Sequence, residues 1–454
     1  MDSADAGGHA PARHRRTFRP HLARDILGGE GVWALAALVL TLAAAHAWHV
    51  FARRSADFDV FLAAGHRFIA GEALYRLSDG HYAFKYAPAS ALLFAPFALL
   101  PRQAAVLAWE AISVGCLVCF LRFSSLQMPW RPRSSESALV LLLILPFAVH
   151  LFGLAQCDAA LLFAVAHSER RARRHPIVSG ALLALACSLK PPFIALVALA
   201  SARRELRRVA AFAACALALL WLPALRYGTL GNWHLLASWR DLLAATTPAL
   251  LCDRQNQSAA SIACTFFGRP GGASFAWAMA LIAGTTLIAM AGATLVAWRR
   301  SEQLGRVAAL CALLYCTAFF SPLGWRTNLL AAAPAFFLLV HFTLSYNPAF
   351  RYCARGAVAI VLLTQCLSYD VVGKDAFHFL LEHRHLGLST WLAVLTGLSL
   401  FAFSARAHAG DGGQGQPPRE GHPDPAGRPA PTSGGAAARW SGHEKLSELK
   451  SHLA

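Results

Sequence analysis

The chain has 454 residues, of which 56% are hydrophobic and only 14% charged, with 41 Lys and Arg against 24 Asp and Glu for a formal net charge of +17. Soluble domains carry about 25% charged residues, so this chain lacks the polar surface of an ordinary cytosolic enzyme. Its basic residues sit in clusters between apolar runs, which makes nucleic acid a poor explanation of the charge and lipid the natural solvent of residues 31–404.

Residues 1–30 form a basic arm with Arg13, Arg15, Arg16, Arg19 and Arg24. The apolar run Gly31 to Phe51 follows, at about 20 residues long enough to span a bilayer core of ~30 Å. Its position behind the arm fits a retained first span better than a cleaved signal peptide. Further arginine clusters lie at 122–133, 170–174, 203–208, 299–306 and 351–355. Cytoplasmic loops keep Lys and Arg, so placing all the clusters inside requires a pair of crossings between successive clusters. The predicted spans are 31–51, 104–121, 137–153, 158–168, 178–189, 192–202, 209–225, 273–297, 307–320, 328–345, 356–371 and 389–404. The fold class predicted is therefore an all-α polytopic membrane protein with about 10–12 transmembrane helices. Several of these segments fall short of the ~20 residues of a full span, and the three between 158 and 202 extend into their loops or are broken helices lining a cavity. Residues 405–454 read as a disordered cytoplasmic tail, because their Gly, Pro and polar composition cannot bury a core.

With the arginines inside, most of the unusual polar residues near the apolar core fall on the outer face, where costly ionisable groups are functional suspects. Asp57 and Asp59 come directly after the first span, and Val60 to Ala70 has the apolar spacing of a helix lying flat on the membrane, with Gly71 as its cap. Either carboxylate can be a general base at the water–lipid boundary or a plain helix N-cap. Lys85 and Tyr86 can meet a phosphate or sugar hydroxyls, or serve as interfacial anchors. Gln156 and Asp158 interrupt an apolar hairpin, so they pair with each other's surroundings or hold a hydroxylated ligand. Lys190, followed by Pro191 and Pro192, faces a phosphate or pairs with Asp158 or Asp57. Asn256, Gln257 and Ser258 lie in a polar island between Cys252 and Cys264, which can form a disulfide in an oxidising compartment and otherwise stay free thiols. The same three residues match a glycosylation sequon. Trp325 has an anchoring explanation, whereas Arg326 on this face needs a phosphate or an acid. His383 and His385 read as solvated loop residues. No metal site is predicted, since no cluster has ligand spacing, and no cofactor is called for.

Taken in order, these segments resemble glycosyltransferase family 87. The family's first outer loop, Asp-Phe-x-Val-Tyr followed by Gly-x-x-Leu-Tyr, resembles Asp57-Phe58-Asp59-Val60-Phe61 and Gly71-Glu72-Ala73-Leu74-Tyr75. Its Tyr-Pro-Pro segment resembles Tyr86-Ala87-Pro88, and its Gly-Gln-x-Asn turn resembles Ala155-Gln156-Cys157-Asp158. Lys190-Pro191, Asn256-Gln257-Ser258 and Ser321-Pro322-Leu323-Gly324-Trp325-Arg326-Thr327 complete the series, with Thr327 where the family has a His and Asp158 where it has an Asn.

The resemblance implies a GT-C fold with the amphipathic helix in the first outer loop. It implies a multi-pass enzyme of the cell membrane, both termini cytoplasmic and the active site extracytoplasmic. It further implies inverting transfer of a hexose, mannose in most of the family, from a polyprenyl-phosphate donor to a glycolipid or glycan acceptor of the envelope. Asp57 inherits the role of base, with Asp59 as the alternative. Lys190, Arg326 and Lys85 are then the candidates for the donor phosphate, and Tyr86, Gln156, Asp158, Asn256, Trp325 and Asn328 for sugar or acceptor. A non-catalytic polyprenyl-lipid binder and a lipid or solute transporter are the alternatives from other classes.

Overall fold

The computed structural model describes residues 31–51, 56–345 and 347–410. The basic arm, and the tail beyond residue 410 with its expected disorder, lie outside the described residues. Among the described residues there are helices and no strands.

The helices are α1 (Gly31–Phe51), α2 (Ala56–Ala70), α3 (Ser90–Ala98), α4 (Arg102–Gln127), α5 (Ser134–Leu154), α6 (Asp158–Arg171), α7 (Pro176–Leu189), α8 (Ala195–Ala202), α9 (Leu206–Trp221), α10 (Ala224–Leu251), α11 (Ala259–Phe267), α12 (Ala273–Arg300), α13 (Glu302–Phe319), α14 (Ala333–Phe342), α15 (Pro348–Cys366), α16 (Tyr369–Val372), α17 (Lys374–Glu382) and α18 (His385–Gly410). Ten of the twelve predicted spans fall on one of these helices or on a helix and its adjoining 3-10 turn, while 209–225 runs from α9 across the Pro223 break into α10 and 356–371 runs from α15 into α16. Four helices, α4, α5, α12 and α18, are long and apolar enough to cross a membrane by themselves. The α9–α10 pair passes the same test but bends by 87°, with the Pro223 turn at the break and Gly228 (φ +70°) kinking α10 soon after. The helices α1 and α7 and the stretches 191–202 and 326–342 are apolar but shorter. The chain is a multi-pass membrane protein.

Lipid accounts for the way apolar area is distributed. Along α12, Trp277, Leu281, Ile288 and Leu295 are more than half exposed, a helix face that water would penalise by roughly 25 cal/mol per Å². The buried core is built elsewhere, by α1 on α5, α4 on α6, α6 on α7, α7 on α9 and α14 on α5. Gly180 makes the α7–α9 approach possible, because a Cβ there would come within 2.5 Å of the Arg208 carbonyl oxygen.

At the arginine-rich end, the turns are tied by buried ion pairs. Arg208, 1% exposed, reaches Glu169, Glu205 (2.9 Å) and the Ser168 hydroxyl (2.9 Å), and Arg203 reaches Glu169 (3.2 Å). His341 Nδ1 lies 3.2 Å from Glu136 and its ring stacks on Trp130 at 3.8 Å.

Candidate functional site

The opposite end gathers the polar residues singled out in the sequence. α2 starts with Asp57 and Asp59 in its first turn. It stops at Gly71, whose φ of +74° suits only glycine well. The Glu72 amide donates to the Arg67 carbonyl at 2.8 Å. α10 clamps this end: Arg226 donates to the Ile69 carbonyl (2.7 Å), Tyr227 to that of Glu72 (2.9 Å), and Trp239 to that of Lys85 (2.9 Å).

The two early carboxylates have different surroundings. Asp59 lies near the surface and takes a two-pronged bond from Arg102, at 2.6 and 3.0 Å. Asp57 is half-buried and accepts from the Gln156 side-chain amide. The turn carrying Gln156 is closed by Ala155, which holds a left-handed conformation (φ +50°, ψ +49°) at the end of α5. The other Gln156 side-chain atom, Oε1, is buried with no partner among the described residues.

Asp158 starts α6 and is buried. Its Oδ1 accepts from Lys190 Nζ at 2.5 Å, and its Oδ2 accepts from the Thr327 hydroxyl at 2.8 Å. Lys190 also donates to Asn328 Oδ1 at 2.7 Å, and Asn328 Nδ2 donates to the Leu323 carbonyl at 3.2 Å. Two of the positions at which the sequence departs from the family pattern, Asp158 and Thr327, therefore touch each other. Lys190 sits where α7 ends and prolines 191 and 192 begin a 3-10 turn, so the helix break delivers its ammonium to this cluster.

Tyr86 is held from three sides. Its hydroxyl accepts from Cys157 Sγ at 3.6 Å, its carbonyl accepts from Tyr75 at 2.7 Å, and its ring meets Phe61 edge-on at 5.3 Å. The next amide, of Ala87, donates to Ser188 at 3.2 Å. This joins the first outer loop to the Lys190 turn. Lys85 is half-buried, and that burial lowers its pKa below the ordinary lysine value while the charge of Asp57 acts in the opposite sense.

Asn256 was expected to face a sugar or acceptor, but it is fully buried and its polar atoms are engaged by backbone. Nδ2 donates to the carbonyls of Leu250, Leu251 and Pro322, and Oδ1 accepts from the amides of Ser258 and Gly324. It works as a latch between the 252–264 loop and the 321–328 turn, and a buried Asn is out of reach as a sequon. Cys252 and Cys264 are joined in a disulfide with Cα atoms 5.6 Å apart. Trp325 is half-buried and its carbonyl accepts from the Asn328 amide at 2.9 Å.

Arg326 opens a 3-10 turn and stacks on Phe377 of α17, 5.1 Å from the ring centroid. It has no acid partner among the described residues, and its Nε is buried without one.

The C-terminal stretch differs most from expectation. His383 and His385 are half-buried rather than solvated, each accepted by a carbonyl one turn back, Phe379 and Leu380 respectively, at 2.7 Å. Arg384 between them, passed over in the sequence, is 3% exposed. It donates to the carbonyls of Asp253 (2.8 Å) and Cys252 (2.9 Å) and to the Thr265 hydroxyl (2.9 Å). Burial lowers its pKa to about 10, with Asp253 and Glu382 pulling the other way. Its only signal in the sequence is a cation wedged directly before an apolar span.

No group of three or more His, Cys, Asp or Glu among the described residues is placed to hold a metal. The arrangement is a polar cluster assembled from five separated segments, with one carboxylate held by an amide, a neutralised lysine and an unneutralised arginine. The profile of glycosyltransferase family 87 matches residues 84–322, more than half of the chain. The chain belongs to that family. No curated protein and no solved structure matches.

Proposed function

We propose that this family 87 glycosyltransferase moves a hexose, mannose by its resemblance, from a polyprenyl-phosphate donor to a glycolipid or glycan acceptor of the envelope. The site lies at the extracytoplasmic face of the cell membrane, with both termini cytoplasmic. The observation that carries the reading is the contrast between the two carboxylates. Asp59 is committed to Arg102, whereas Asp57 is half-buried and held by Gln156, two residues before the Asp158 of the Asp158–Lys190–Asn328 cluster.

Asp57 takes the proton of the acceptor hydroxyl. The acceptor oxygen then attacks the anomeric carbon from the side opposite the phosphate, so the configuration inverts. The bond between that carbon and the phosphate oxygen breaks, and its electron pair leaves on the lipid phosphate. The leaving group thereby gains a negative charge, which fixed cations stabilise more strongly than they stabilise the donor. Arg326 and Lys85 supply that charge. Lys190, already paired with Asp158, and Asn328, whose amide is engaged by Lys190 and the Leu323 carbonyl, orient the cluster, while Gln156 and Tyr86 are the candidates for hydroxyls.

The test is transfer of radiolabelled polyprenyl-phosphate mannose in membranes containing the protein. Asp57→Asn is expected to lower the rate by a factor of about 10²–10⁴, the usual worth of a general base. Asp59→Asn, which breaks only a surface pair, is expected to change it severalfold at most. Transfer at the unsubstituted rate in the Asp57 variant sinks the assignment.

A further inference from the structure

Resting on that reading, we propose that the segment after the family match completes the site. His385 and Phe377, together with Arg326, form an oxyanion subsite for the phosphate of a lipid phosphomonoester or phosphodiester.

Four observations converge. First, Arg326 is half-buried with no acid partner among the described residues, and its Nε is buried without a hydrogen bond. A guanidinium drawn into the fold without a counter-charge is costly and becomes favourable when an anion fills the place of the missing acid. Second, Phe377 covers one face of the guanidinium, which leaves its N–H edge as the direction of approach, the geometry that binds phosphate with two parallel hydrogen bonds. Third, the His385 ring is oriented. Its Nδ1 lies 2.7 Å from the Leu380 carbonyl, and since a carbonyl only accepts, Nδ1 carries the hydrogen. The opposite nitrogen, Nε2, is buried with no partner among the described residues. Fourth, Phe377 and Leu380, whose carbonyl orients the ring, both belong to α17, so one helix covers the guanidinium and positions the imidazole.

Two segments distant in sequence thus bring a guanidinium and an imidazole to one helix, with no acid partner for Arg326 among the described residues. Arg326 adjoins Thr327 and Asn328, which bond directly to Asp158 and Lys190. The subsite therefore borders the proposed sugar pocket, as a phosphate attached to that sugar requires. When the ring is protonated, Nε2 donates to a phosphate oxygen, and it does so most strongly to the dianion of the product monoester.

The experiment measures binding, without turnover, on the full-length protein in detergent, using farnesyl phosphate, farnesol and inorganic phosphate as probes. Farnesyl phosphate is expected to raise the melting temperature of the unsubstituted protein, and farnesol to leave it unchanged. His385→Gln and Phe377→Leu are each expected to weaken farnesyl phosphate about tenfold, the loss of one charge-assisted contact. Asp59→Asn is expected to bind normally. Binding is read without turnover, so this inference stays separate from the base assignment, which fails or stands on transfer alone. Saturation by inorganic phosphate at the same concentration assigns the subsite to phosphate as such; preference for farnesyl phosphate assigns it to the lipid-linked form. Should Arg326→Met fail to fold, the two C-terminal variants still decide. Farnesyl phosphate binding that is absent from the unsubstituted protein, or undiminished in both His385→Gln and Phe377→Leu, overturns the proposal.

Discussion

Lys190 illustrates how a single residue can look free in a sequence and be spoken for in the fold. The sequence offered it two acids or a phosphate, and its ammonium is bonded to Asp158 and Asn328. In a site this dry, removing one partner of an ion pair strands the other. Asp158→Asn and Lys190→Met are each expected to destabilise the protein by about 3 kcal/mol, and the double replacement by clearly less than the sum. Thermal unfolding in detergent, run as a double-mutant cycle, checks this; strict additivity would mean that the pair is not coupled. Ala155 is a second such residue. It occupies a left-handed conformation at the helix end that carries Gln156, where a Cβ costs about 1 kcal/mol relative to glycine. Ala155→Gly is expected to stabilise by about 0.5–1 kcal/mol, read as a rise in melting temperature. A fall would show that packing of the buried methyl outweighs the backbone term.

At the scale of elements, the loops between helices are docked by specific polar contacts. The amide of Gly387, in the first turn of α18, donates to Gln257 Oε1 at 3.1 Å, and a Cβ at Gly387 would sit 2.4 Å from the Gln257 carbonyl oxygen. That oxygen belongs to backbone fixed by the Gln257 amide bond to Gly324 (2.7 Å), so it cannot yield as a side chain would. Gly387→Ala is therefore expected to cost about 1–3 kcal/mol and to loosen the 252–264 loop, measured as faster reduction of the Cys252–Cys264 disulfide by a mild thiol. Unchanged stability together with an unchanged reduction rate would rule out this docking. What could be foreseen follows from the same physics. Apolar runs such as 137–153 and 273–297 announce their helices because nothing else buries or solvates twenty apolar residues in a row. α10 and α17 went unannounced because they are amphipathic, with polar faces like those of loops. Individual site residues such as Asp57, Gln156 and Lys190 stood out as polar groups among apolar ones. The choice of Asp158 over Asp57 as the acid for Lys190, and the pairing of Gln156 with Asp57, did not, because 32 residues separate the first pair and 99 the second. Arg384 was missed, and Thr327 stood out only as a departure from the family pattern, since each looks ordinary until its partner is known.

The whole molecule has two chemically unlike ends, and the contrast bears on its orientation. At one end Arg203 and Arg208 are absorbed into ion pairs with Glu169 and Glu205, so they hold helices together. Arg170, Arg173, Arg174, Arg204, Arg207, Arg299 and Arg300 remain exposed there, and these are the charges that resist translocation. The other end keeps Lys190, Arg326 and Arg384 within the fold, where they are held by the site and contribute little to topology, while Arg226, Arg240, Arg254, Arg269 and Lys374 are exposed in its segments. A count of basic residues by loop therefore overstates the positive surface charge of the site end by the three that are held inside, and the exposed cations left there are scattered singly where those of the other end are clustered. The proposed orientation follows from the exposed charges alone, and it can be read without any enzyme assay. Arg173 and Asp241 are both strongly exposed, with side chains 70% and 65% accessible, on the arginine-rich end and on α10 respectively. In intact cells, a membrane-impermeant maleimide is expected to label D241C above the background of the native cysteines. R173C should become labelled only once the membrane is permeabilised. The reverse pattern would turn the molecule over and place the Asp57 cluster where nucleotide sugars are available, removing the reason for a lipid-linked donor.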